Sequence, residues 1–383
     1  RKRSTVLERQ KDLVSLHPAM SKPKVLILGG CGFIGRNLVK YLVEQDCTSY
    51  IRVADKTPPS LSDLNPELEE LFNTKVDFVQ CRIGNPGHME RAFNSDKGEF
   101  DLVVHLAAET KYGQEDEVYR QLVTDVAVAV GQECGRRGIS KFIYLSTAQI
   151  YKPGKKCSDE EGKLEPWTGI AKASLAAEEA IKETPGCQWI ILRPGFVYGP
   201  ADKYGISPRC IMAAVYKQIG EKMKFLWNKD LRINTVHVRD VARAIWHCYE
   251  HAPPGSTFNL IDKGDTSQKT VADLLSKIFN IKVGFYGNIK SGLAKMVGFK
   301  DICEEANDRH MGPWSELEKE FGLRTPLSPF LDMELLYNQS LAADGRQIEL
   351  ATGFEYAYPK MTEELLREQI QYWIDINAFP PVL

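Results

Sequence analysis

Seven residues, Gly29-Gly30-Cys31-Gly32-Phe33-Ile34-Gly35, follow the apolar run Lys24–Leu28 directly and open an amphipathic stretch. Glycines at such a junction permit a tight turn and let backbone N–H groups approach a pyrophosphate at a helix N-terminus, where peptide dipoles favour an anion. Asp55 stands twenty positions after Gly35, at the end of the next apolar run. A carboxylate there accepts hydrogen bonds from adenosine ribose hydroxyls and repels a 2′-phosphate, so the pattern favours NAD over NADP. Neighbouring Arg52 and Lys56 soften that preference. Other chemistries find no pattern. His105 and His237 stand alone at run ends without a His, Cys or acid at ligand spacing, so no metal is expected. There is no Gly-x-Ser-x-Gly elbow and no paired-carboxylate spacing for hydrolysis.

The elements that must position these residues alternate regularly. Short β-rich runs at Lys24–Leu28, Tyr50–Ala54, Val76–Cys81, Asp101–Leu106, Lys141–Leu145 and Gln188–Leu192 are separated by helical stretches such as Phe33–Glu44 and Gln114–Arg136. Six strands with intervening helices predict an α/β fold with a doubly wound, parallel Rossmann sheet over residues 22–200. After Pro194 the alternation becomes irregular, with helical candidates at Val271–Phe279 and Thr362–Asp375. Residues 201–383 therefore read mainly as a smaller C-terminal lid that binds substrate, with a strand and helix around 234–262 returning to the core. Residues 1–21 read as a disordered extension or tag: the segment is basic, has no signal-type apolar core, and is followed by a strand at Lys24.

Composition bounds the function classes. The chain has 383 residues, 43% hydrophobic and 26% charged, enough to bury a full core. A formal net charge of -2 gives no case for nucleic acid or an anionic membrane as partner. No apolar run approaches the roughly 18 residues of a transmembrane helix. Nine cysteines scattered without close pairing favour reduced thiols, and hence the cytoplasm, with the mitochondrial matrix as the alternative.

The chain resembles the extended short-chain dehydrogenase/reductases, also called the NAD-dependent epimerase/dehydratase family. Gly29, Gly32 and Gly35 match its Gly-x-x-Gly-x-x-Gly, and His105-Leu106-Ala107-Ala108 matches the stretch after its fourth strand. Ser146-Thr147 matches its active-site hydroxyl segment, Arg193-Pro194 its sixth strand, and Val236-His237-Val238-Arg239-Asp240-Val241-Ala242 a late motif. The resemblance implies a nicotinamide dinucleotide held by Gly29, Gly32, Phe33, Ile34, Gly35, Asp55, Leu106, Ala107, Ala108, Lys172 and Pro194. It also implies a small-molecule substrate between the sheet edge and the lid, and a homodimer through Gln114–Arg136 and Thr168–Glu183.

Departures from the family cluster on the substrate side. The family places a Tyr four residues before the lysine, so that the ammonium lowers the phenol's pKa and the phenol moves a proton. Here Lys172 is present and Thr168 stands in the phenol's place. Tyr151 to Lys155 has the spacing but runs through Pro153-Gly154, which breaks a helix. Ala148-Gln149 replaces the dehydratase Asp-Glu pair, Val123 falls where an active-site Asn is usual, and Arg82 replaces an acid that contacts adenine. Arg82 reads either as a base-stacking partner or as a solvated side chain. Tyr112 and Glu109, just after Ala108, read as a solvated loop, with a proton donor that faces the substrate from another direction as the alternative reading. Arg232, Asn234 and Arg239 fall near the expected substrate edge, where they would suit an anionic substrate such as a nucleotide-sugar pyrophosphate, with an exposed-surface role favoured for Arg239. Two functions are carried forward. One is an NAD-dependent oxidoreductase or epimerase acting on a secondary alcohol or ketone, sugar-nucleotide or steroid-like, with Thr147, Lys172 and Thr168 as catalytic candidates. The other is a dinucleotide-binding pseudo-enzyme.

Overall fold

The computed structural model describes residues 22–288 and 298–383. The expected extension over residues 1–21 and part of the lid segment 286–309 lie outside the described residues. Seven parallel strands form the central sheet: β1 (Lys24–Leu28), β2 (Tyr50–Asp55), β3 (Asp77–Gln80), β4 (Leu102–His105), β5 (Lys141–Leu145), β6 (Trp189–Pro194) and β10 (Ser256–Leu260). Their order is β3-β2-β1-β4-β5-β6-β10. The sheet is an open Rossmann-type α/β sheet, and its strand order reverses between β1 and β4. In such sheets ligands enter beyond the carboxyl ends of the strands at that reversal.

The strands are apolar on both faces because both are covered. Val25 and Ile27 of β1 pack into the cluster that holds Leu38 and Leu42 of α1 (Phe33–Glu44) and Val241 and Ile245 of α8 (Val238–His251). Leu26 and Leu28 face the other way, towards Val130 of α5 (Val126–Arg137) and Ala177 of α6 (Gly169–Lys182). A short helix α4 (Asp116–Tyr119) runs through one π-helical turn, 120–125, into α5. Glu178 of α6 and Arg193 of β6 form a fully buried ion pair with three N···O contacts of 2.6–3.2 Å. Tyr151 adds its hydroxyl, accepting from Arg193 at 2.7 Å. This network pins α6, and therefore Lys172, to the sheet.

In the second half α8 packs beside α1, and β10 joins the sheet edge beside β6. Two small parallel pairs lie outside the main sheet. They are β7 (Phe196–Tyr198) with β9 (Thr235–His237), and β8 (Met223–Phe225) with β11 (Val283–Phe285). Among the described residues, five further helices belong to this half: α7 (Ser207–Ile219), α9 (Gln268–Phe279), α10 (Phe299–Phe321), the short α11 (Arg346–Thr352) and α12 (Glu363–Asp375). The sequence reading missed α10, which carries Pro313 internally. All nine cysteines are free thiols. Among the described residues no helix is long and apolar enough to cross a membrane.

Candidate functional site

The glycine turn and the segment after β4 are packed against each other at the strand reversal. Gly29 takes a φ of +83°, and a Cβ placed there would lie 2.7 Å from the Ala107 backbone nitrogen. A Cβ on Gly35 would lie 2.5 Å from Gly30 Cα. Side chains at either position would fill the turn, so these two glycines are required by close approach. Gly32 caps α1 without any side chain, which leaves the first N–H groups of the helix open at the mouth of the turn. Phe33 and Ile34 are half-buried in the first turn of α1.

Asp55, at the end of β2, accepts from the Cys31 N–H at 3.0 Å and from the Thr57 N–H at 3.0 Å. Burial raises its pKa, opposed by those two backbone bonds. Each oxygen keeps acceptor capacity, so the carboxylate both braces the turn and can receive ribose hydroxyls. Arg82 is exposed one strand further out. Leu106 and Ala107 are half-buried, Ala108 is exposed and Pro194 is buried at the end of β6.

Unsatisfied polar atoms collect at the carboxyl ends of β4 and β5. The His105 ring is buried with neither nitrogen bonded, and the buried Ser146 hydroxyl is also without a partner. Burial pulls the His105 pKa down to about 4, so the ring is neutral at physiological pH. Thr147 is half-buried and accepts from the Gln149 N–H at 3.2 Å. Lys172 is exposed one helical turn after Thr168. Gly turn, Asp55, Thr147 and Lys172 thus share one edge of the sheet.

Thr168 is 1% exposed, and its hydroxyl is committed twice. It caps α6 by accepting from Ala171 N–H at 3.1 Å and donates to Gln149 Oε1 at 3.0 Å. With its one hydrogen used, Thr168 has no proton to spare for a substrate oxygen. Gln149 in turn donates through Nε2 to the Tyr112 hydroxyl at 3.1 Å. The sequence reading favours a solvated loop for Tyr112, with a substrate-facing proton donor as the alternative, and takes Gln149 only as a loss. The two form one hydrogen-bonded row with Thr168. The only sequence signal was Tyr112's place just after the Ala107-Ala108 segment.

The Tyr112 phenol and the Gln149 amide open into a cavity of about 490 Å³ between the sheet edge and the C-terminal half. Its walls are largely aromatic and aliphatic, among them Trp167, Phe196, Met212, Phe225, Tyr286 and Leu335. Arg209, Lys224 and Arg309 bring positive charge, Glu305 and Glu334 negative. Arg209 is half-buried over the Phe196 ring, donates to the Gly205 carbonyl at 3.2 Å, and has no ion pair among the described residues. Glu334 reaches the site from the far end of the chain, accepting from the Gly169 N–H at 2.9 Å. The residues suggested from sequence for this edge are used elsewhere. Arg239 pairs with Glu368, Arg232 with Asp265, and Asn234 is buried against Ala343 and Asp265. Among the described residues no three His, Cys or acidic side chains are grouped to hold a metal ion.

The family model for the NAD dependent epimerase/dehydratase family matches residues 25–260, which is 236 of the 383 residues, and the chain belongs to that family. It is 27% identical over 286 residues to a dTDP-D-glucose 4,6-dehydratase of Dictyostelium discoideum, spanning 68% of this chain and 62% of that protein. It is 26% identical over 255 residues to a sterol-4-alpha-carboxylate 3-dehydrogenase, decarboxylating, of Saccharomyces cerevisiae, covering 62% of this chain and 71% of that one. Among solved structures, UDP-glucose 4-epimerase of Thermus thermophilus in complex with NAD superposes with a TM-score of 0.65 at 18% identity, covering 92% of this chain and 99% of that one. The Bordetella bronchiseptica enzyme WbmG in complex with NAD and UDP gives 0.67 at 17%, covering 95% and 98%. At these identities the structural likeness establishes the fold.

Proposed function

We propose that the protein binds NAD at the strand reversal and moves hydride between it and a secondary alcohol or ketone held in the adjoining cavity. The observation that carries this reading is the shared carboxyl edge of the sheet: a side-chain-free turn braced by Asp55 lies at the same edge as Thr147 and Lys172, and Gln149, two residues after Thr147, lines a half-open, mostly apolar cavity. The α1 N-terminus and Gly29, Gly32 and Gly35 receive the pyrophosphate, Asp55 the adenosine ribose, and Lys172 the nicotinamide ribose. Phe33, Ile34, Leu106, Ala107, Ala108 and Pro194 border the dinucleotide, with Arg82 beyond its adenine end. Thr147 keeps a free hydroxyl hydrogen for the substrate oxygen. When bound, the nicotinamide supplies a hydride donor or acceptor at a carbon, chemistry that protein side chains do not provide. The cavity walls suit a ringed substrate, and unpaired Arg209 suits an anionic group on it. Nucleoside-diphosphate sugars and sterol carboxylates both meet that description, in keeping with the relatives' substrates.

Titration calorimetry checks the first half: NAD binds, and NADP binds more weakly because Asp55 meets its 2′-phosphate. A panel of UDP-glucose, dTDP-glucose and a 4α-carboxysterol, followed by nicotinamide absorbance and product chromatography, checks the second. The committed Thr168 hydroxyl favours a second reading, a dinucleotide-binding component without turnover. Tight NAD binding with no product from any of the three selects it.

A further inference from the structure

The loss of a phenol at position 168 leaves a row of three side chains whose donor order is forced. Thr168 Oγ1 accepts from Ala171, so its hydrogen points to Gln149 Oε1. The Gln149 amide is thereby oriented with its nitrogen towards Tyr112, and the N–H is donated to the phenol oxygen. Tyr112 receives a hydrogen bond, while no bond among the described residues uses its own O–H, and both it and Gln149 line the cavity. We infer that Tyr112 exchanges the proton of the substrate's reacting oxygen, with Gln149 and Thr168 as positioning residues that aim its O–H into the cavity.

This rests on the proposed hydride transfer. In the reductive direction the Tyr112 O–H bond breaks and its proton forms the new O–H on the substrate carbonyl oxygen, while the carbonyl carbon gains a hydride from the reduced dinucleotide. The electron pair left on the phenolate oxygen is stabilised by the Gln149 N–H and by Arg209, and water at the cavity mouth returns the proton. The charged groups facing Tyr112 are Arg209 from α7, and Glu334 and Asp332 from the segment that crosses the site. Burial raises the phenol's pKa, the Gln149 bond lowers it, and Glu334 then raises it while Arg209 lowers it, leaving a net upward shift. The phenol is therefore protonated at neutral pH, the form a proton donor requires. Thr168 then acts as the anchor that turns Gln149 towards the substitute phenol.

The test compares wild type, Tyr112→Phe, Gln149→Met, Thr168→Val and Thr168→Ser, on whichever panel substrate wild type converts. Tyr112→Phe should lower kcat by about 10²–10⁴-fold, with NAD affinity and thermal midpoint unchanged. Thr168→Val should lower kcat by roughly tenfold through the misplaced amide, and Thr168→Ser should recover most of that loss. An ultraviolet difference titration of wild type against Tyr112→Phe should show a phenol ionising later than free tyrosine, and later still in Gln149→Met. Undiminished turnover in Tyr112→Phe overturns the proposal, as does a loss that merely follows NAD affinity and midpoint downward, or a Tyr112 titration indifferent to Gln149. Failure of the underlying reading looks different: wild type binds NAD and converts no panel substrate, which removes the reaction and Tyr112's part in it together.

Discussion

Gly35 and Gly131 lie in helices, and replacing each with alanine should move stability in opposite directions. Inside a helix alanine is favoured over glycine by about 1 kcal/mol, because glycine loses more backbone freedom on folding. In α5 that gain is available: a Cβ on Gly131 meets nothing nearer than Ile181 Cγ1 at 3.6 Å, ordinary van der Waals contact. In α1 it is not. A Cβ on Gly35 would stand 2.5 Å from Gly30 Cα and 2.6 Å from the Gly29 carbonyl oxygen. Both are backbone atoms of a turn held by the Gly29–Ala54 and Gly32–Gly29 hydrogen bonds at 2.8 and 3.1 Å. No side-chain rotation relieves that overlap, so the turn itself must move, and overpacking of this kind costs about 1–3 kcal/mol. The overlap with backbone atoms puts the steric cost of Gly35→Ala at the upper end of that range, so it should be destabilised by up to about 2 kcal/mol once the gain of about 1 is subtracted. Gly131→Ala should be stabilised by about 0.5–1 kcal/mol. Urea denaturation gives both numbers. Calorimetry adds a second distinction: Gly35→Ala should lose NAD affinity by tenfold or more, Gly131→Ala none. A Gly35→Ala protein as stable as wild type, with full NAD affinity, would refute the claim that close backbone approach at this turn creates the site.

Three further outcomes follow from buried charge. Glu178→Gln leaves the Arg193 guanidinium buried without its counter-charge, and urea denaturation should show a loss of about 3–5 kcal/mol; a loss under about 1 kcal/mol would mean that β6 and α6 are not held by this pair. Asp262 is 5% exposed and burial raises its pKa to about 6, so its favourable contribution is present below the unfolded value of about 3.9 and disappears as pH rises through 6. Wild type should therefore lose about 2–3 kcal/mol relative to Asp262→Asn between about pH 4 and about pH 7, and parallel stability curves would rule the shift out. Asp55→Asn removes the charge that repels a 2′-phosphate while keeping an acceptor for Thr57 or Cys31; the ratio of NAD to NADP affinity should fall, and an unchanged ratio would show that Asp55 serves only to brace the turn.

All six strands read from the sequence occur in the sheet, most within a residue or two at each end, because each is a short apolar run closed by a turn. The glycine turn was legible for the same reason: its chemistry is local, carried by residues adjacent in the chain. Helix α10 was not, since Pro313 and its mixed charges hide a helix whose apolar contacts, such as buried Trp314 and Leu317, exist only once the second half has folded. Nor were Arg232, Asn234 and Arg239 separable from the cavity-facing Arg209 and Lys224. Which cations are paired depends on partners such as Asp265 and Glu368, far away in the chain.

The sequence by itself determined the doubly wound sheet, the glycine turn with Asp55 at the end of the next strand, and the absence of a phenol four residues before Lys172. Each is a matter of residue type at fixed spacing within one strand-loop-helix unit, where geometry follows from the backbone. Only the tertiary structure decided what Thr168 does. Its hydroxyl meets Gln149 nineteen residues earlier, Gln149 meets Tyr112 from the loop after β4, and Glu334 closes on Gly169 from 165 residues away. Hydrogen bonds across such separations are set by how β4, β5 and α6 stack at the sheet's edge, and no local pattern encodes that.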